Sequence, residues 1–441
     1  MREIFHFGLI LPLDGATPPL PQAYITVERG IISDLGFVWS IDPTISESAH
    51  WHDFSSAIAL PGFINSHVHL GYRRFSTIKA PKGSTSWLSE LVRDSRQLDS
   101  AAKSKIAQSN IRAVLASGCT YVVENTPFEE TIQALANSPL HAKVGWEVFG
   151  NDTASADSIF DRSLTKLKAL QERFEGARDR LDFVFAPHSI YNVSAPLLKR
   201  LAAWSYERDL PLLLHLSEFE FEQMLTKTGS APSELNLFHE SLGVKSSSTG
   251  GLTGLTPTAY LERLGILDKN LFPTHLLRAS DRDLELLAKS DITLCSCPRS
   301  GLWLNNGSLD WNQIERLDLK VSIGTDGLSS NFDLDLREEL KAAWLIHRAK
   351  GQSLSAQKLL QAITSIPAQQ LGIGHERGSL SKGKKADLLI FEPPDGFLQN
   401  QAFLKDPYED ILRHILNRLK SVWINGERVW TMEEIYHQEN I

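Results

Sequence analysis

The sequence predicts an α/β protein, a (β/α)8 TIM barrel with a small β-sandwich domain built from both termini of the chain. Three observations predict this fold. Apolar runs of strand length alternate with segments of helical periodicity through the middle of the chain, and eight such runs can be counted. Short strand patterns separated by turn residues lie on both sides of that region. Continuous apolar strands that alternate with amphipathic helices are typical of a parallel barrel.

The two ends of the chain share a β pattern that differs from the middle. We expect residues 1–58 to form the N-terminal part of the β-sandwich domain, 59–373 the catalytic barrel and 374–441 the C-terminal part of the sandwich. Alternating runs near the N-terminus predict short strands. Near the other end, residues 421–430 predict a hairpin across an Asn-Gly turn.

The eight predicted barrel strands are apolar runs that lead into polar residues. They are IALPGFINSHVHL (58–70), CTYVVENTPF (119–128), AKVGWEVFGN (142–151), LDFVFAPHSIY (181–191), LPLLLHLSEF (210–219), NLFPTHLL (270–277), ITLCSCPRS (292–300) and LKVSIGTDGLSS (319–330). A doubly wound open sheet is the rival, but no glycine-rich phosphate loop follows the first strand. The pattern therefore favours the barrel.

One segment departs from this alternation. Residues 219–257 are rich in Ser, Gly and Thr, a composition that does not predict a packed core. We expect a mobile excursion over one mouth of the barrel that packs no core. The sequence leaves two roles open for this segment, a lid over the site and an insertion without function.

The composition is that of a globular protein with a mildly acidic charge. The 441 residues include 45 Lys and Arg against 53 Asp and Glu, a net charge of −8. This balance argues against a nucleic-acid partner, which requires a basic face. No run approaches the roughly 18 apolar residues of a membrane span, so no membrane partner is expected. The three cysteines cannot form a disulfide framework, and a cytoplasmic location is expected.

Polar residues that can bind a metal occur where the predicted strands end. The ends carry His67 and His69 (strand one), His188 (four), His215 (five), His275 (six) and Asp326 (eight). Active sites of barrels lie at this end of the strands. His67 and His69 are two apart, so their side chains share one face of a strand. Together with His215 and Asp326, they predict one divalent cation with an open position for water.

Glu218 follows His215 by three residues, in HLSE. From a strand end it can reach over the metal and move protons. Two further glutamates follow within four residues. The spacing alone is therefore equally consistent with Glu218 being an ordinary solvent-exposed acid.

Taken together, several motifs resemble the amidohydrolase superfamily, and within it the aminohydrolase (deaminase) branch. The motifs are PGFINSHVHLG (61–71), APHSIYNVS (186–194), LLLHLSE (212–218), PTHLL (273–277), SIGTDGLSSN (322–331) and GSLSKGKKADLLIF (378–391). They cover nearly the whole chain in the family's order. The resemblance implies a single metal ion, Zn²⁺ or alternatively Fe²⁺, held by His67, His69, His215 and Asp326.

The resemblance also implies catalytic roles. His275 would orient the metal-bound water, Asp326 would take its proton and later help deliver it to the departing ammonia, and Glu218 would protonate a ring nitrogen. Strand four offers no lysine to bridge a second metal, which supports a single ion.

Four further residues are expected to contact substrate. His188 and Tyr191 resemble the family's His-x-x-Tyr pair, in which the histidine contacts substrate. Glu147 lies near the end of strand three, and Trp87 can stack on a flat ring.

The implied reaction is hydrolytic removal of an exocyclic amino group from an adenine-like ring, with release of ammonia. An aminodeoxyfutalosine-like nucleoside of menaquinone biosynthesis is favoured, because GSTSWLSELV (83–92) and the Glu147–Gly150 stretch look like deaminases of that substrate. The adenosylhomocysteine type usually has an Arg near the end of strand three, where this chain has Trp146–Gly150.

Several alternatives remain open. They are deamination of adenosylhomocysteine, methylthioadenosine or guanine, hydrolysis of another leaving group on a triazine-like ring, and a non-catalytic scaffold, which would require degenerate ligands. The expected partner is a small heterocyclic substrate. A homodimer is compatible with this type of barrel.

Overall fold

The computed structural model describes residues 2–42, 44, 49–74, 84–352, 354–399 and 405–432. The chain divides into two compact units. Unit 1 comprises Met1–Asn65, Arg112–Tyr121 and Asp335–Ile441, and unit 2 comprises Ser66–Ile111 and Val122–Leu334.

The strands of the described residues follow in chain order. They are β1 Arg2–Ile10, β2 Leu20–Glu28, β3 Ile31–Phe37, β4 His50–Pro61, β5 Phe63–His69, β6 Cys119–Thr126, β7 His141–Val148, β8 Leu181–Pro187, β9 Leu212–Leu216, β10 Leu271–His275, β11 Leu294–Ser296, β12 Val321–Ile323, β13 Asp326–Gly327, β14 Leu388–Phe391, β15 Leu419–Ile424 and β16 Glu427–Thr431.

The α-helices of the same residues lie mostly between the parallel strands. They are α1 Ser84–Gln97, α2 Ser100–Ala116, α3 Glu129–Ala136, α4 Ala156–Arg173, α5 Ala195–Tyr206, α6 Glu220–Thr228, α7 Ser233–Leu242, α8 Pro257–Leu264, α9 Asp281–Lys289, α10 Pro298–Trp303, α11 Trp311–Arg316, α12 Leu336–Ala349, α13 Ala356–Gln361, α14 Ser365–Gln370 and α15 Pro407–Asp410. None of these helices combines the length and the apolar character that crossing a bilayer requires.

In unit 1, strands from both ends of the chain form one seven-stranded sheet in the order β16-β15-β14-β4-β1-β2-β3. Strand β14 pairs antiparallel with β4, which joins the two ends directly. The hairpin expected in 421–430 is confirmed as β15 and β16. Phe5, Phe7, Ile25 and Trp423 belong to the buried apolar cluster that covers this sheet. Both ends of the chain therefore contribute strands to one sheet. The second sheet that a sandwich requires stays a prediction.

The alternating strands of the middle region form parallel sheets, as the α/β prediction requires. One sheet has the order β13-β5-β6-β7-β8, and the other has the order β12-β11-β10-β9. The described pairs within them are parallel, for example β7 with β8 and β9 with β10. A parallel bridge between Ser189 and His215 links the ends of β8 and β9.

Gly324 is required by a close approach of two backbones. A Cβ at this position would lie 2.6 Å from the backbone nitrogen of His67, a contact that real Cβ atoms do not make. The unusual backbone angle belongs to Asp326 itself, whose φ is +58°.

The segment 219–257 contains packed helices, so the prediction that it packs no core is wrong for its first half. Helices α6 and α7 place Phe221, Leu225, Leu235 and Phe238 in a buried cluster with Tyr191. The apolar residues recur at helical spacing, and this periodicity decides the local structure despite the surrounding Ser and Thr residues. The segment is a packed wall beside the strand ends of unit 2.

Candidate active site

Nine of the ten predicted site residues line one small cavity of about 40 Å³ in unit 2. They are His69, Trp87, Glu147, His188, Tyr191, His215, Glu218, His275 and Asp326. The tenth, His67, is buried beside them, with its ring centroid 4.8 Å from that of His69 and 4.9 Å from that of His215. The parallel strands thus bring together side chains that are more than 250 residues apart in the sequence.

The orientation of two imidazoles indicates a cation between them. Nδ1 of His69 lies 2.8 Å from the carbonyl oxygen of Asn125, and Nδ1 of His215 lies 2.7 Å from that of His188. A carbonyl only accepts, so each Nδ1 carries the proton and each Nε2 presents a lone pair. The two Nε2 atoms are 3.3 Å apart. Two lone pairs at this distance repel unless a cation binds both.

The carboxylate of Asp326 completes this group. Its Oδ2 accepts hydrogen bonds from the hydroxyls of Ser300 at 2.6 Å and Ser330 at 2.8 Å. Its Oδ1 lies 3.7 Å from Nε2 of His69 and 3.8 Å from Nε2 of His67. The serines therefore fix the carboxylate with one oxygen directed at the imidazoles.

This donor set fits a divalent metal such as zinc. Tetrahedral ligands at about 2.0–2.1 Å from zinc are separated by roughly 3.3–3.4 Å, and the separations here are 3.3, 3.7 and 3.8 Å. Metal-ligating histidines usually donate the hydrogen of their other ring nitrogen to a carbonyl or a carboxylate, as His69 and His215 do here. The residues that would hold the ion are His67, His69, His215 and Asp326.

The buried imidazoles are held in the neutral form that a metal requires. Burial lowers the pKa values of His67 and His215 well below the usual range, and neighbouring histidines lower them further. Burial also lowers the pKa of His275 to about 4 and that of His188 to about 3. At neutral pH these rings are therefore ligands or hydrogen-bonding groups rather than cations.

Glu218 and His275 face each other at the edge of the metal group. Oε2 of Glu218 lies 3.7 Å from Nε2 of His275, and both side chains are buried. Burial raises the pKa of Glu218 well above its usual range, and the carboxylates of Asp326 and Glu222 raise it further. Burial therefore favours the protonated form of Glu218, which can donate a proton.

The backbone is strained where three of these strands end. Ser217, His275 and Asp326 have positive φ angles of 53°, 82° and 58°. A non-glycine residue in this region costs about 1–3 kcal/mol and tends to occur at functional sites. The local geometry therefore indicates selection for side-chain placement rather than for stability.

The other predicted residues form the wall of the small cavity. The indole Nε1 of Trp87 donates to the carbonyl of Ser329 at 3.0 Å, which fixes the ring. Tyr191 is buried against Phe221, with ring centroids 4.9 Å apart. Burial raises the pKa of Glu147 to about 7, so this carboxyl can hold a proton near neutral pH.

Lys143, the nearest lysine to strand three, does not reach this group. Its Nζ is paired with Asp182 at 2.9 Å, near the start of β7 rather than its end. No lysine is found among the described residues that line the small cavity. This arrangement agrees with a site for one metal ion.

Sequence reasoning missed residues that act through hydrogen bonds to the site. Ser300 and Ser330 hold Asp326, Asn125 orients His69 through its carbonyl, and Tyr72 lines the cavity. Ser300 is the last residue of the seventh apolar run, and nothing in the sequence there indicates a hydrogen bond to Asp326. A hydrogen bond between residues on strands that are distant in the chain leaves no periodic pattern in the sequence.

Glu222 is a fully buried acid that fixes the backbone around Glu218. Its Oε1 accepts from the backbone nitrogens of Glu218 at 2.8 Å and Phe219 at 3.1 Å, and its Oε2 accepts from that of Ser217 at 3.0 Å. Three N–H donors directed at one carboxylate set the turn that leads from β9 to α6. Glu222 is therefore a positioning residue for Glu218.

We expect Glu222→Gln to lower kcat by about 10- to 100-fold with a much smaller change in KM, because an amide NH₂ would face a backbone N–H and displace Glu218. Steady-state ammonia release and thermal unfolding of the same preparation check this. Glu220→Gln, an exposed acid in the same helix turn, is the matched control. A variant that loses stability while its folded fraction keeps the wild-type kcat would limit Glu222 to a structural role.

Comparison with known proteins finds relatives that match along most of the chain. The 5-methylthioadenosine/S-adenosylhomocysteine deaminase of Thermodesulfovibrio yellowstonii is 28% identical over 435 residues, 95% of this chain and 90% of that protein. The aminodeoxyfutalosine deaminase of Nitratiruptor sp. is 27% identical over 380 residues, 85% of this chain and 87% of that protein. An adenosine deaminase structure from Xanthomonas campestris with bound zinc is similar in fold, with a TM-score of 0.80 at 22% identity, over 99% of this chain and 96% of that chain.

The family assignment rests on a match along most of the chain. Residues 58–429 match the amidohydrolase family, and this range contains all ten predicted site residues. The chain therefore belongs to the amidohydrolase family and is a hydrolase that acts on C–N bonds.

Proposed function

We propose that this protein is a metal-dependent hydrolytic deaminase of adenine-like nucleosides. The observation that carries the proposal is the pair of Nε2 lone pairs of His69 and His215, 3.3 Å apart beside the Asp326 carboxylate. Zinc is the favoured ion and Fe²⁺ the alternative. The proposal includes closure of the two parallel sheets into one eight-stranded barrel and the domain division at residues 58/59 and 373/374.

The residues around the metal group have separate proposed tasks. When bound, a divalent cation supplies a water acidic enough to act as a nucleophile near neutral pH. Oδ1 of Asp326 faces the imidazoles and would hold a proton released there, while the hydroxyls of Ser300 and Ser330 hold its other oxygen. The neutral ring of His275 donates or accepts a hydrogen bond that orients the attacking oxygen.

Glu218 acts on the substrate side. Its raised pKa favours the protonated carboxyl, and this proton passes to a ring nitrogen next to the carbon under attack. Protonation makes that carbon electrophilic. Asp326 then gives its proton to the exocyclic amino group, which leaves as ammonia, and the proton of the added hydroxyl returns to Glu218. Glu147, His188, Tyr191 and Trp87 hold the ring against the small cavity.

An aminodeoxyfutalosine-like nucleoside is the favoured substrate. The Nitratiruptor relative with this activity in its name supports it, together with the sequence around Trp87 and Glu147. Methylthioadenosine or adenosylhomocysteine is the second candidate, which the Thermodesulfovibrio relative supports.

An ammonia-release panel tests the proposal. Purified protein loaded with Zn²⁺ is assayed on adenosine, methylthioadenosine, adenosylhomocysteine, guanine and aminodeoxyfutalosine. We expect release from at least one adenine nucleoside, with the highest kcat/KM for aminodeoxyfutalosine. Release from guanine alone, or from none of them by metal-loaded protein, would contradict the proposal.

A further inference from the structure

The metal-binding strand β5 ends at His69, and the turn that follows is enclosed by other parts of unit 2. Leu70 is fully buried. A Cβ at Gly71 would lie 2.6 Å from the ring of Phe128 and 2.8 Å from the hydroxyl of Thr131, which leaves no room for a side chain. Buried backbone polar groups require hydrogen-bond partners. Beyond the end of a strand, these partners must come from outside the sheet ladder.

Two buried side chains hold the backbone on either side of Leu70. Oε2 of Glu124 accepts from the backbone N–H of Leu70 at 2.9 Å. The side-chain amide of Asn110 donates to the carbonyl oxygens of Leu70 and Tyr72, each at 2.9 Å. Glu124 is 0% exposed and Asn110 is 4% exposed. The turn after His69 is therefore held by a strand, β6, and by a helix, α2.

Glu124 acts on the Cα end of His69. Because the peptide bond is planar, the N–H of Leu70 and the Cα of His69 belong to one rigid group. The next residue of the same strand, Asn125, acts on the ring end, since its carbonyl oxygen lies 2.8 Å from Nδ1 of His69. Consecutive residues of β6 therefore restrain both ends of one metal-binding side chain.

Packing alone does not account for a carboxyl group at position 124. Burying a carboxyl costs free energy that an apolar side chain of similar size avoids. Burial raises the pKa of Glu124 well above its usual range, which favours the neutral carboxyl and lowers this cost. Glu124 is not among the described residues that line the small cavity, so it has no contact with a substrate there. Its hydrogen bond to Leu70 gives the carboxyl a specific task.

We propose that Glu124 is a positioning residue for the metal ligand His69. It holds the backbone at the end of β5 so that Nε2 of His69 stays 3.3 Å from Nε2 of His215, a separation that suits a shared ion. Groups that bind a metal must stay within about 0.5 Å of the productive geometry, and the ring contact with Asn125 does not by itself fix the Cα. The inference rests on the proposed function for the presence of the metal but not for the identity of the substrate.

Zinc affinity tests this proposal without turnover. Glu124→Ala should weaken zinc binding by about 10- to 100-fold, the usual effect of removing a group that supports a metal ligand. Glu124→Gln should bind zinc within about threefold of the wild-type affinity, because its amide oxygen can accept the same hydrogen bond from Leu70. The affinities are measured by titrating zinc into metal-stripped protein in competition with a chromogenic chelator.

Lys143→Met is the matched control for a general loss of stability. Lys143 is also buried and lies on the neighbouring strand β7, but its partner is Asp182, near the start of that strand. Its loss should lower the thermal unfolding temperature of the stripped protein and leave the zinc affinity unchanged. Cobalt(II) gives a second readout, because its visible absorption spectrum reports the geometry of the ligands. In cobalt-loaded protein, this spectrum should change for Glu124→Ala and stay unchanged for Lys143→Met.

Wild-type zinc affinity and an unchanged cobalt spectrum in Glu124→Ala would overturn the proposal. Equal weakening of zinc binding by Glu124→Gln and Glu124→Ala would also overturn it, because the amide oxygen retains the contact with Leu70. Glu124→Asp replaces Glu124→Ala if the alanine variant does not fold. It keeps the carboxyl but withdraws it from the N–H of Leu70, and wild-type zinc affinity in this variant would equally overturn the proposal.

The outcome is distinguishable from failure of the proposed function. If no nucleoside in the ammonia panel is deaminated while Glu124→Ala still weakens zinc binding, the reaction assignment fails and the positioning role stands. If a nucleoside is deaminated but Glu124→Ala binds zinc as the wild type does, the reaction assignment stands and the positioning role fails.

Discussion

Glu218→Gln should reduce kcat for ammonia release by about 10²- to 10⁴-fold, the usual contribution of a positioned proton donor. The amide has the same shape and fills the same buried space, but it has no proton to deliver to a ring nitrogen. Its contact with His275, at 3.7 Å in the wild type, can still form. The expected result is therefore a loss of turnover with little change in fold or metal content.

Three measurements on one preparation separate this role from a structural one. They are kcat, metal content and the affinity for an unreactive substrate analogue. Glu220→Gln again serves as the control, because Glu220 is exposed two residues away. Retention of more than about half of the wild-type kcat by Glu218→Gln would remove Glu218 from the proposed mechanism.

His215→Ala should abolish activity by removing a metal ligand. Loss of a residue that only supports a ligand costs about 10- to 100-fold in metal affinity, so loss of the ligand itself should exceed that range. The purified variant should contain far less than one equivalent of zinc, and added zinc should restore little ammonia release.

The control for His215→Ala is His375→Ala. The His375 side chain is 74% exposed and lies in unit 1, so its removal should change neither zinc content nor kcat. A His215→Ala protein that binds zinc with the wild-type affinity would contradict the ligand assignment.

The strand ends and their histidines could be predicted because they follow from local patterns. Apolar runs set the strands, parallel strands place their ends together, and a two-residue spacing puts His67 and His69 on one face. Each of these three features can be recognised from a short stretch of the sequence. The convergence of these groups with His215 and Asp326 is accordingly what the structure contains.

The supporting hydrogen bonds could not be predicted in the same way. The contacts of Ser300 and Ser330 with Asp326 depend on how two loops fold back, and Glu222 was one of three neighbouring acids with nothing in the sequence to distinguish it. The helices at 220–242 were missed because a Ser- and Thr-rich composition was weighted above a helical apolar spacing. In each case, the sequence favoured several local structures or partners about equally, and the packing of the folded chain determined which one forms.

The metal content of active protein tests the central claim most directly. Protein stripped with a chelator is titrated with Zn²⁺ while bound metal and ammonia release from the best nucleoside of the panel are both followed. The account predicts that stripped protein is inactive and that activity rises linearly to a plateau at one equivalent of zinc per chain. Full activity of metal-free protein, or a plateau that requires two equivalents, would contradict it.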